Sequence, residues 1–444
     1  MEMLLLPFRA EPKWTSNDLL TGGGIYYGMN PDRISSSVWK IGLLGSTIDF
    51  FSGSAHGPPS ERMVTMDGED LPVMFESTGD APFDLVAAAF YLLSGWQEKT
   101  SKIRDEHGRF PFSESIQYKY DLATVPLVDL FRKLLKKELT RRDLRLEPKK
   151  WNDKNWAFCA THDIDYLRKW RPGIFYREIV ERAIFNSENE TLRARGSRIG
   201  GAARGLVQRK DPYAKTIQRM REEVARRGGT ATYFFKTAAR GPKDVRYNEN
   251  DSFLHRQYLE LRSQQFEIGL HPSYHAFDHG RYLREERAAL RHASGVDARS
   301  ARTHFLRFDP VTTPRLLAET GFQIDSSLGF AEQEGFRRAT CLPFPIYDLE
   351  ADQALEIWEM PLTVMESTLF NRRHLDVDEA ISTSQALMET CKKFGGVFVG
   401  LWHNLIWDER DFPGWAEHFT VCLDHAKEGN ALAASLRTAL DAWK

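Results

Sequence analysis

From Trp156 onward, short apolar runs rich in β-branched and aromatic residues return at intervals. They are WAFCA from Trp156, TATYFF from Thr230, FEIGL from Phe266, ARTHFL from Ala301, FQID from Phe322, LEIWEMPL from Leu355 and GVFVGLW from Gly396. Runs of this length and composition, bounded by polar turns, read as buried strands. Between most of them lie segments of helical composition, such as FLHRQYLELRSQ and TPRLLAETG. Strands alternating with helices pair in parallel through right-handed crossovers. The pattern therefore predicts an α/β fold, a distorted (β/α)7 barrel one unit short of the eight-stranded form.

The first third of the chain has a different rhythm. From Ile25 to about Leu144, short apolar runs alternate with turn clusters such as TGGG and MDGEDLP, the pattern of a small mixed α+β domain. Within it, Phe83 to Leu93 and Pro126 to Leu135 have helical periodicity. The stretch RLEPKKWNDKN, from Arg145 to Asn155, carries a proline and no apolar period. It is expected to be an accessible joint between an N-terminal domain over 1–150 and a barrel over 151–444.

Composition narrows the function classes. A hydrophobic share of 42%, a charged share of 27% and a formal charge of −2 are those of a globular protein with no general attraction to nucleic acid. Cys159, Cys341, Cys391 and Cys422 are widely spaced and form no CxxC pair, so neither a disulfide framework nor a thiolate zinc site is indicated. The apolar run in MEMLLLPF is too short for a signal peptide, and a cytoplasmic location is expected. The segment 166–227 is strongly basic. It reads either as a solvated helical insertion or as a contact for a membrane surface or a polyanion.

Chemistry collects just after the apolar runs, where the strands of such a barrel end. Asp163 and Asp165 follow WAFCA, His271 and His275 follow FEIGL, Arg302 and His304 lie in ARTHFL, and His403 follows GVFVGLW. Asp163 and Asp165 alternate along an extended chain and face the same side. Neighbouring carboxylates repel, so something cationic must offset them, and a divalent metal is the obvious candidate. His271 and His275 stand four apart in HPSYH, a spacing that suits such an ion. Two histidines and one carboxylate would leave positions open for water, while the other carboxylate stays free to take a proton.

THDID, HPSYH, RTHF and LWH, in that order, resemble the motifs of the NodB-type polysaccharide deacetylases, carbohydrate esterase family 4, in the subgroup with a DxD first motif. GFRRATCLPFPIYD, LEIWEMPLTVMESTL and AFYLLSGWQEKTSKIRDEHGRFPFSES are similar to a bacterial branch that joins this barrel to an N-terminal domain. The resemblance implies Asp163 as general base, with Arg302 holding its carboxylate. It implies Asp165, His271 and His275 as ligands of a divalent metal, with Zn2+ the first candidate, and His403 as general acid. Leu401 and Trp402 of the LWH motif and the backbone N–H of Phe305 fall on the substrate side. The implied reaction is removal of acetyl from an N-acetylated carbohydrate or a similar amide.

Three residues depart from that pattern or stay ambiguous. His304 stands where relatives have proline, and His162 where an apolar residue is frequent; both read first as hydrogen-bonded structural histidines. Asp325 reads either as a helix N-cap or as a carboxylate behind the site. Two other functions compete: a carbohydrate-binding barrel without turnover, and a glycosidase using two carboxyls across a sugar bond.

Overall fold

The structure is a computed structural model that describes residues 2–6, 8, 24–53, 57–66, 68–169, 211–245, 247–248 and 250–444. Positions 170–210 of the basic segment thus lie outside the described residues. Its described end is the helix Thr216–Arg226, where Arg227 pairs with Asp424 and Glu223.

Each of the seven apolar runs carries a strand of one sheet. These are β6 (Ala157–Ile164), β7 (Thr232–Phe235), β8 (Glu267–Leu270), β9 (Ser300–Ala301), β10 (Ile324–Asp325), β12 (Gln353–Glu359) and β14 (Val397–Leu401). Strands β11 (Phe344–Asp348), β13 (Leu362–Met365) and β15 (Leu432–Ala433) complete it. The order is β11-β12-β10-β9-β8-β7-β6-β14-β13, parallel throughout except for β11 on β12, with β15 beside β6. The run LEIWEMPL does not stay one strand. Pro361 has no N–H for a ladder, and the chain leaves β12 there to enter β13.

That break reveals the curvature of the sheet. β12 and β13 lie near opposite ends of the strand order, yet only Met360 and Pro361 separate them. Three residue steps span at most about 11 Å, so the sheet must curl until its two edges approach. Among the described residues no ladder joins those edges, and the sheet is an open, curled half-barrel rather than a closed ring.

Alternation along β6 sorts its residues between two layers. Phe158, Ala160 and Ile164 pack outward against the helices, in the core that includes Ile217, Leu261 and Phe419. Ala157 and Cys159 face the inner core with Val399, Leu362 and Ile324. Asp163 follows on the inner face and His162 on the helix face, so adjacent residues acquire unrelated surroundings.

In the N-terminal region, β1 (Gly24–Gly28), β2 (Val38–Gly42) and β5 (Thr78–Gly79) form a small sheet, and β3 (Met63–Met66) pairs with β4 (Glu69–Pro72). The two expected helices are Leu85–Ser94, capped by Asp84 accepting from the N–H groups of Val86 and Ala87, and Leu127–Thr140. Their core is shared: Phe308, Leu328 and Ala339 from the larger sheet's connections and Phe344 of β11 pack with Phe83, Leu92 and Phe131. Buried charges cross between the same parts. Glu98 takes two bonds from Arg337, at 2.8 and 3.0 Å, and pairs with Arg338 at 3.3 Å. Gly95, at φ 81°, leaves the room that Arg338 needs, since a Cβ there would lie 2.0 Å from its guanidinium. The expected joint is likewise pinned. Trp151 is fully buried, donates to the Gly395 carbonyl and packs on Trp443.

Candidate metal centre and its cavity

The carboxyl ends of the parallel strands converge on one group of polar side chains. Asp163 is the penultimate residue of β6 and Asp165 the first beyond it. Lys236 directly follows β7, His271 follows β8, Arg302 follows β9, Glu366 follows β13, and His403 stands two beyond β14. A strand holds its last backbone atoms by ladder bonds and releases the next side chain over the mouth of the sheet.

Among the described residues, Asp165, His271 and His304 offer ligand atoms all within 4.8 Å of one another. Both imidazoles are oriented from behind. His271 Nδ1 donates to the Arg302 carbonyl at 2.6 Å, and His304 Nδ1 to Asp244 Oδ1 at 2.7 Å. Asp244 is itself fixed by the N–H groups of Tyr274 and Arg240. This leaves each Nε2 with its lone pair turned into the site, the arrangement that metal-bound histidines require. Burial, with Lys236 alongside, holds the His304 pKa down to about 4, against the pull of Asp244, so the ring is neutral at pH 7. From Asp165 Oδ1 to the Nε2 atoms of His271 and His304 the distances are 3.6 and 3.7 Å. Donors bound at 2.0–2.1 Å to a tetrahedral ion stand about 3.3 Å apart. Two imidazole nitrogens and a buried carboxylate oxygen at this spacing are the donor set of a divalent ion. Burial works to raise the Asp165 carboxyl, but Lys236 Nζ, 2.6 Å away, and the His403 imidazolium hold it well below the usual carboxylate range.

Two further groups flank this set. Asp163 lies 3.3 Å from Arg302 Nη1 and 3.7 Å from His271 Nε2. Arg302 is fully buried, bonded to Thr161 Oγ1 and to the carbonyl and hydroxyl of Ser326, and its guanidinium stands over the Phe234 ring. His403 Nε2 lies 3.7 Å from the other Asp165 oxygen, while its Nδ1 is 2.7 Å from buried Glu366. Enclosure opposes the imidazolium, but Glu366 outweighs it and lifts the His403 pKa to about 9. Asp163, Asp165, His271, His304, Glu366 and His403 line one cavity of about 400 Å³, walled by Leu401, Phe305, Phe370 and Phe412.

The turn after β9 has Phe305 and Leu306 both in left-handed conformation, at φ 61° and 54°. Such strain persists only where the surroundings hold it, and here the N-terminal region does so. Arg109, bound to Asp105, donates to the Phe305 carbonyl at 2.9 Å, and Arg307 donates to the His107 carbonyl. His107 also meets the Tyr274 hydroxyl at 3.0 Å.

Asp163, Asp165, His271, Arg302, Phe305, Leu401 and His403 are thus brought together. Two of the expected site residues lie apart from this group. His275 is outside the ligand group, with Nδ1 3.5 Å from Arg307. HPSYH is a turn tied through Ser273 to Glu286 and through Tyr274 to Asp244. His304 offers the third atom of the group. Trp402 is fully buried on the helix side, donating to His418 and packing on Phe158 and Phe419, and cannot touch a substrate in the cavity. His162 is structural: it lies between Tyr233 and Phe419 with Nδ1 on the Trp402 carbonyl. Asp325 is a buried carboxylate behind Arg302, bonded to Ser327 and raised by burial.

Lys236 and Glu366 went unnoticed in the sequence although each directly follows a strand, the same signal that marks His271. Asp244 and Arg109 lie in loops distant in sequence and carried no signal.

A family model described as a family of unknown function (DUF7033) matches residues 45–144. No curated protein matches the chain. Among solved structures, the chain is similar to one from Mycobacterium smegmatis described as a candidate polysaccharide deacetylase. The identity is 16% and the TM-score 0.42, over 65% of this chain and 90% of that one. It is also similar, at 11% identity and TM-score 0.31, to a mutant of a carbohydrate esterase family 4 pseudoenzyme with restored enzymatic activity, over 66% of this chain and 69% of that one.

Proposed function

We propose that the chain is a metal-dependent hydrolase that removes acetyl from an N-acetylated carbohydrate or a related amide. One observation carries this: three convergent ligand atoms share a cavity with a carboxylate held by an arginine and an imidazolium held by a glutamate. Asp165, His271 and His304 would hold the ion, which when bound supplies Lewis acidity to the amide carbonyl and to water. Asp163, steadied by Arg302, accepts the proton of the attacking water. His403, kept protonated by Glu366, donates a proton to the departing amine nitrogen. The Phe305 backbone N–H serves the developing oxyanion, and Leu401 meets the acetyl methyl. The choice of an acetylated sugar rests on the motif resemblance.

A glycosidase needs one carboxyl kept protonated as acid. Asp165, ion-paired with Lys236, is held in the opposite direction. The test is acetate release from N-acetylated sugars, with zinc content measured on the same samples. Asp163→Asn should keep its zinc and lose turnover by about 10²- to 10⁴-fold. His304→Ala should lose both, and His275→Ala should keep its zinc. Chelator-insensitive turnover, or full activity in Asp163→Asn, overturns the reading; a carbohydrate-binding barrel would release no acetate with any of these proteins.

A further inference from the structure

Lys236 is 1% exposed, and its ammonium lies 2.6 Å from Asp165 Oδ1 and 2.8 Å from His304 Nε2. Two of the three proposed ligand atoms are therefore already engaged by a cation that belongs to the chain. Those two atoms stand 3.7 Å apart. An ion about 2.1 Å from each lies about 1 Å from their midpoint. The ammonium, at its two measured distances, lies about 2 Å from the same midpoint. Even on opposite sides, ion and ammonium would be separated by no more than about 3 Å. An ammonium has no lone pair to offer a metal, and nothing could screen two cations at that separation.

The charge balance points the same way. Asp163 faces Arg302, Glu366 faces His403, and Asp165 faces Lys236, so each of these carboxylates already has a cationic partner. Asp244, behind the neutral His304 ring, is the remaining carboxylate of the site, so a divalent ion added to this arrangement would turn its charge from negative to positive.

We infer that Lys236 is the resident cation of the site, and that a divalent ion enters only by displacing its ammonium from Asp165 and His304. The inference rests on the metal centre proposed above. It makes the metal-free protein internally compensated, and it sets metal affinity by competition with a side chain rather than by the three ligands alone. A rotation of the Lys236 side chain away from Asp165 would be the event that opens the site.

The experiment is zinc affinity measured by competition with a chromophoric chelator on the full chain, for the wild type, Lys236→Met and Asp165→Asn/Lys236→Met. Methionine keeps the length and removes the charge. Zinc should bind Lys236→Met at least tenfold more tightly than the wild type, and the double variant should lose that gain. Should Lys236→Met fail to fold without metal, Lys236→Gln, which can still bond Asp165, is read in its place with the same expectation. Wild-type zinc binding that depends on Asp165 but is unchanged in the Lys236 variant overturns the competition and leaves the metal centre standing. No zinc binding by any of the proteins overturns both. Binding by the Lys236 variant alone supports the competition in its strongest form.

Discussion

Removing the Glu98 carboxylate should destabilise the whole molecule rather than one part of it. Glu98 is fully buried and faces two guanidiniums, those of Arg337 and Arg338, which are 2% and 3% exposed. Burial works to raise its carboxyl, but the two arginines prevail and lower it. Its stabilising contribution is therefore present above the ordinary glutamate range and lost as pH falls below it. Glu98→Ala leaves two buried like charges side by side with no counter-ion. Breaking a buried pair from one side costs about 3–5 kcal/mol, a large share of the roughly 5–15 kcal/mol that holds a typical protein folded. Because Phe308, Leu328 and Phe344 share a core with the N-terminal helices, the loss should appear as one cooperative transition. Denaturant unfolding followed by tryptophan fluorescence and by far-UV circular dichroism should give coincident curves, both displaced. A cycle of Glu98→Ala, Arg337→Ala and the double variant should show a coupling of about 2 kcal/mol or more. A cost below about 1 kcal/mol, or two separate transitions with only one displaced, would refute the reasoning and favour two independently folding domains. By the same argument, a fragment beginning at Trp151 should not fold alone.

Three other perturbations have expected outcomes. Burial raises the Asp84 pKa from 3.8 to about 6, so on lowering the pH the folded form takes up its proton first, and stability rises between pH 6 and 4. The charged form costs about 3 kcal/mol at neutral pH; Asp84→Asn keeps a cap acceptor and should stabilise the protein at pH 7.5 in urea unfolding while flattening the profile below pH 6. Burial pushes His418 down to about 4, and its neutral ring accepts from Trp402 Nε1 at 3.0 Å, so its contribution is full above about pH 6.5 and lost as pH falls toward 4. Trp402→Phe should therefore lower stability by about 1–3 kcal/mol, read by thermal melting, with KM for an acetylated sugar unchanged. Glu366→Gln loosens the His403 ring it anchors and should lower kcat by about 10²-fold at unchanged KM and zinc content; a normal kcat would remove Glu366 from the site.

The strands, their parallel pairing and the face each functional residue occupies are local consequences of apolar runs with polar residues at their ends. That is why Asp163, Asp165, His271, Arg302 and His403 could be read from the chain, with the side of β6 that separates Asp163 from His162 following from a period of two. The place of His304 in the group could not. His275 stands four from His271, but the turn between them is fixed by Ser273 on Glu286 and Tyr274 on Asp244, and spacing alone does not say where each ring ends up. His304 enters through a left-handed turn whose carbonyl is held by Arg109, 196 positions away in sequence. Trp402 looked like a substrate contact because it neighbours His403, yet its indole packs on the helix side. Lys236 is the clearest case. The sequence places a cation after β7, but that it reaches two proposed ligand atoms at once is decided by how neighbouring strand ends converge. Sequence periodicity sets which side of a strand a residue takes; only the curl of the whole sheet sets which residues from different strands come within bonding distance.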